Sequence, residues 1–127
     1  MIPPFDVHEI LHNYPCEDIA ATLSLVGDKW SMLIVMYLSA GPCRFNELKR
    51  KIGSITQRML TLTLRKLERE GLVIRTIYPE VPPRVEYALT DLGHSLFKPV
   101  QELGLWALSH QTDLKRARAE YDRANPE

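Results

Sequence analysis

The sequence predicts a mainly α-helical fold carrying one small β-hairpin, an α+β arrangement within a single domain. Three observations predict it. Apolar residues recur at spacings of three and four through most of the 127 residues. Two short runs, Leu72 to Tyr78 and Arg84 to Leu89, instead alternate apolar and polar, as half-buried strands do. Between those runs Pro79, Pro82 and Pro83 have no N–H to give to a ladder, so they belong to the connection.

Residues 1–15 hold Pro3, Pro4 and Pro15 and are expected to form an arm. Ile19, Leu23 and Val26 mark a first amphipathic helix, stopped by Gly27. Asp28 is placed to cap a second helix through Trp30, Leu33, Ile34, Tyr37 and Leu38. That helix is apolar nearly all round, which predicts a central buried position, and Gly41-Pro42 ends it. Phe45, Leu48 and Ile52 give a short third helix, with Lys49, Arg50 and Lys51 on its outer side and Gly53 as its stop. Either Ser54, with Gln57 three residues on, or Thr56 can cap the fourth helix, which runs to Gly71. Thr90 caps a fifth, whose seam is Leu92, Leu96, Val100, Leu103 and Ala107, with Phe97 and Trp106 beside it. Pro99 within that seam predicts a bend or an open turn. Beyond His110 the chain turns polar and is expected to fray.

The fourth helix carries the functional signal. At about 100° per residue, Leu60, Leu64 and Leu67 line one face while Arg58, Arg65 and Arg69 fall within roughly 40° on the other. Thr61 and Leu62 edge that arginine row. A helix anchored by leucines and presenting Thr and Arg outward suits the DNA major groove, where arginine reaches guanine edges or phosphates. With the short helix before it and the hairpin after it, the order is that of a helix-turn-helix with a β-hairpin wing. The readings that follow are base contacts from Thr56, Gln57, Arg58, Thr61 and Arg65, and phosphate contacts from Lys49 and Arg50 and from Arg75 and Arg84 on the wing.

Charge agrees with this once its distribution is considered. The formal net charge is zero. Yet residues 44–84 hold ten Lys or Arg against four Glu, a net +6, while residues 1–28 hold five acids and no Lys or Arg. A local positive field of that kind is what phosphates require. It also argues against a winged helix used only for protein contacts, which needs no such field.

The motifs as a set resemble the HxlR-type branch of the MarR-like winged-helix transcription regulators. The resemblance spans about residues 16–115. It is carried by Leu25-Val26-Gly27 with Lys29-Trp30, by Gly41-Pro42 with Arg44-Phe45-Asn46-Glu47-Leu48, and by Met59-Leu60-Thr61 with Leu64-Arg65. Gly71-Leu72-Val73, Val81-Pro82-Pro83-Arg84-Val85-Glu86-Tyr87, and Leu89-Thr90 before Gly93 complete it. The resemblance implies a cytoplasmic homodimer that binds double-stranded DNA, paired through the first and last helices. The residues agree, because the Ile19/Leu23/Val26 and Leu92 to Leu103 stripes have no third layer to cover them. The implied domain is residues 16–115, with 116–127 a polar tail. In two places the pattern departs from the family: Asp28 stands where a second Gly is usual, and Pro15-Cys16 reverses the usual Cys-Pro order.

The remaining chemistry is sparse. Some members of such a family respond to oxidants through a cysteine just before the first helix, which makes Cys16 the candidate sensor. A helix N-terminus favours its thiolate, while Glu17 and Asp18 oppose it. Cys43 reads as a small core residue. His8-Glu9-Ile10-Leu11-His12 matches the zinc-protease spacing of two His on one helix face and supplies an alternative, a small metal-dependent hydrolase. A Pro-bounded arm without a third ligand or a cleft argues against it, so no metal, cofactor or catalytic group is expected. No effector class is legible. The first residues lack a basic segment, no apolar run nears the roughly 18 residues of a membrane span, and two cysteines make no disulfide framework, so a cytoplasmic protein is expected.

Overall fold

Helices that each carry one apolar stripe converge on Ile34, Val35 and Leu38 of α3 (Lys29–Leu38), all fully buried. The computed structural model of the chain describes residues 6–13 and 16–126. In chain order these form α1 (Val7–Asn13), α2 (Cys16–Gly27), α3, β1 (Cys43–Arg44), α4 (Phe45–Ile52), α5 (Gln57–Arg69), β2 (Val73–Tyr78), β3 (Arg84–Leu89), α6 (Asp91–Ser109) and α7 (Gln111–Ala124). Leu48 of α4 and Leu60, Leu64 and Leu67 of α5 close on α3, with Leu72, Val73 and Leu89 beneath them. Burying a leucine contributes roughly 1.5–3 kcal/mol, so three leucines on one stripe fix the rotation of α5 about its axis. Together α4, the turn at Gly53 (φ 82°) and α5 make the helix-turn-helix, and β2 with β3 makes the wing.

The sheet has a third strand that the sequence does not announce. β1 pairs antiparallel with β3, Cys43 opposite Tyr87 and Arg44 opposite Glu86, giving the order β1-β3-β2. Two residues are too few to display an alternation. The wing strands are also less buried than alternation implies. Ile74 and Ile77 are exposed on β2; of the hairpin, Val73 and Leu89 are buried in the core and Tyr87 packs partly buried against it. Helix α3 is likewise not buried all round. Met36 and Tyr37 face outward, the Tyr37 hydroxyl donating to the Lys51 carbonyl (2.9 Å).

Two expectations about helix ends resolve. Thr56, not Ser54, caps α5, its Oγ1 accepting from the Met59 N–H (3.1 Å). Asp28 does occupy the cap position of α3, but its carboxylate bonds no backbone N–H there and instead accepts from Ser31 Oγ (2.5 Å). Thr90 caps α6 through the Gly93 N–H (3.1 Å), and α6 runs unbroken past Pro99. After His110 the polar chain does not fray but forms α7, which has no buried residue. The boundary expected at residue 115 therefore falls inside a helix. The expected arm contains α1. Among the described residues no single helix is long and apolar enough to cross a membrane.

Candidate nucleic-acid interface

The interface is built on α5. Because its leucines are locked inward, Arg58, Arg65 and Arg69 are exposed, and so are Gln57 and Leu62. Thr61 is half-buried, and its hydroxyl donates to the Gln57 carbonyl (2.9 Å). Among the described residues neither Arg58 nor Arg65 takes part in an ion pair; Arg69 alone approaches a carboxylate, Glu70 at 4.0 Å. The Arg65–Glu68 pairing that a plain surface helix would use is absent from them.

Arg75 lies at the root of the wing rather than near its tip. It shares a recess of about 210 Å³ with Thr61, Arg65, Glu68 and Tyr87. Arg65 of α5 and Arg75 of β2 therefore line one recess between the helix and the sheet. Lys49 and Arg50 lie on α4, lining a shallow recess with Asn46 and Gly53. Arg50 also borders a groove between α4 and β3, together with Arg44, Asn46 and Arg84. Arg44 is exposed and its N–H donates to Glu47 Oε1 (2.9 Å), a bond that starts α4. Sequence reasoning did not single out Arg44 as a contact, and only its pairing beside Glu86 on β1 reveals its place.

Arg84 is the exception among the expected contacts. Its Nε lies 2.8 Å from Glu80 Oε2, its Nη1 3.3 Å from Glu86 Oε2, and its guanidinium sits 4.1 Å from the centroid of the Tyr78 ring. The Nε–H is not aimed at Glu80, since the geometry makes no hydrogen bond despite the short distance. Arg84 is thus engaged within the hairpin, and its side chain is 33% exposed.

The other candidate groups fall away from this surface. Cys43 is buried, with Lys51 Nζ 3.6 Å from its Sγ. Cys16 opens α2, but its thiol lies outside the described side chains. His8 and His12 stack in α1 with ring centroids 6.1 Å apart, and among the described residues no three His, Cys, Asp or Glu side chains are grouped to hold a metal. On the flank of α5, Lys66 Nζ lies 3.3 Å from Asp28 Oδ2. Burial pushes the Asp28 carboxyl up, but hydrogen bonds from Ser31 and Lys66 and the Lys66 charge outweigh it, holding the group below its ordinary value of 3.8.

This geometry agrees with known proteins. The model of the HxlR-like helix-turn-helix family matches residues 25–115. The chain belongs to the HxlR-like family. Among its relatives is YkvN of Bacillus subtilis (strain 168), named an uncharacterized HTH-type transcriptional regulator. It is 46% identical over 106 residues, which cover 84% of this chain and 89% of that protein. Among solved structures, the redox regulator HypR in its reduced form is 42% identical with a TM-score of 0.73, over 78% of this chain and 98% of that one. The reduced form of the transcriptional regulator YodB from B. subtilis is 38% identical with a TM-score of 0.67, over 74% and 92%. In this HxlR-like chain, as the matched range requires, α3, the helix-turn-helix and the wing all lie within the family region.

Proposed function

We propose that the chain is a sequence-specific DNA-binding transcriptional regulator that acts in the cytoplasm as a homodimer on a roughly palindromic operator. The observation that carries this reading is the outward arginine row of α5, unpaired at Arg58 and Arg65 among the described residues and fixed in rotation by Leu60, Leu64 and Leu67. Arg58, Thr61 and Arg65 read base edges, with Thr56 and Gln57 at the helix start. Lys49, Arg50 and Arg75 hold phosphates, and Arg84 joins them only by exchanging Glu80 or Glu86 for a phosphate oxygen. Residues 16–115 are the working unit. The apolar faces of α2 and α6, where Leu23, Leu92 and Leu103 stay exposed, supply the contact between copies. Two-fold symmetry then sets half-sites about one helical turn apart. The role is binding, not catalysis.

The decisive experiment is a gel-shift titration on fragments selected from genomic DNA. Arg58→Ala/Arg65→Ala should lose sequence preference, and full operator affinity in that double variant would refute the assignment of α5. Redox control through Cys16 is supported by the similarity to HypR and YodB, whose structures are described in oxidized or diamide-treated and reduced forms. Oxidant should change operator affinity in the wild type and not in Cys16→Ser.

A further inference from the structure

We propose that Asp28 is a positioning residue for operator recognition: by holding Lys66, it fixes the angle between the recognition helix and α2. On the regulator reading above, which this inference deepens, α2 belongs to the frame shared by two copies and α5 to the frame of the DNA. The angle between them therefore sets the half-site spacing that a dimer accepts.

The chain bends by 71° from α2 to α3, and Asp28 is the single residue between Gly27, which ends α2, and Lys29, which starts α3. Leu25 and Trp30 on either side of the elbow pack partly buried against the core, but at Gly27 itself an added Cβ would meet nothing within 4 Å. Polar contacts add to that packing. The Asp28 N–H donates to the Leu25 carbonyl (3.2 Å), and its own carbonyl accepts from the Met32 N–H (3.1 Å). Its Oδ2 accepts from Ser31 Oγ (2.5 Å) and from Lys66 Nζ (3.3 Å), 38 residues away in sequence. The backbone bonds hold the elbow to itself, whereas the carboxylate ties it to α5.

Lys66 is suited to that task. It lies roughly 80° around α5 from the arginine row, between the groove-facing side and the leucine side. A tie there restrains roll and tilt of the helix without occupying its DNA face. The Asp28 side chain is 29% exposed and the Lys66 side chain 48%, so water reaches both and the pair is soft. Such pairs shift an equilibrium by a small factor only, which suits tuning of an angle better than folding of a domain.

The test compares operators whose half-sites are moved apart or together by one and two base pairs, together with an isolated half-site. Wild type should bind one spacing best. Asp28→Asn should lower the preference for that spacing by about threefold, while its affinity for the isolated half-site stays within about twofold of wild type. Asp28→Lys/Lys66→Glu, which reverses the pair, should restore the preference. An Asp28→Asn profile that superimposes on wild type, or one that the reversed pair does not restore, overturns the inference. A wild-type protein that prefers no DNA at all would refute the regulator reading instead, before any variant is compared.

Discussion

Arg65 and Lys49 carry the same charge on different helices, and the two positions predict different losses. Arg65 stands on the exposed face of α5 beside Thr61, without an ion pair among the described residues. Arg65→Ala should weaken operator binding and relax preference at one base position by about 1–3 kcal/mol, read by titrating an operator library. Lys49, half-buried on α4, faces no base edge in this reading. Lys49→Ala should weaken all duplexes alike and flatten the slope of log affinity against log salt by about one. The outward set of arginines was legible because leucine periodicity fixes both faces of a helix at once. Arg84 was not, since a one-dimensional reading sees a cation and not Glu80, Glu86 and Tyr78 around it. Asp28 adds a dependence on pH. Its carboxyl titrates lower in the folded chain than the ordinary 3.8, so its stabilisation is present above that value and is lost as pH falls through the folded-state value. Acid-unfolding curves of wild type and Asp28→Asn should therefore diverge at neutral pH and converge in strong acid.

Helices and strands respond as units. The bond from Thr56 Oγ1 to the Met59 N–H starts α5, and Thr56→Ala should cost about 1 kcal/mol of stability in a denaturant titration. Leu64→Ala, at the centre of the locked stripe, should cost about 2–5 kcal/mol by the same measurement. The helices with strong apolar stripes were all legible. β1 was not, because its two residues owe their pairing to β3, which lies more than forty positions away in sequence. α7 was not either, because its signal is helix propensity without burial: Ala, Arg, Lys and Glu on a helix with no buried residue.

For the whole molecule, the unfinished surface is the informative one. Leu103, Leu105, Trp106 and Leu108 on α6 remain 51–73% exposed, and Leu23 on α2 is 63% exposed. Apolar exposure on that scale marks a contact with another chain. Leu103→Glu should shift the protein from dimer to monomer in analytical ultracentrifugation and weaken operator binding in proportion. The wing and helix-turn-helix would keep their near-ultraviolet signature. The proposed second copy was legible from two uncovered stripes at opposite chain ends, but the angle at which such stripes would meet was not, because no local sequence signal fixes it.

One close approach has a consequence for motion. A Cβ at Gly93 would sit 2.2 Å from the Leu72 carbonyl oxygen, which itself accepts the Thr90 N–H (3.0 Å). Leu72 begins the hairpin and Gly93 belongs to the first turn of α6, so the two are seated against each other with no slack. Bending of the wing as it follows a duplex must take place further out along β2 and β3. Any tug strong enough to shift the hairpin's root will be delivered directly to α6, the helix whose uncovered leucines would meet a second copy in the proposed dimer.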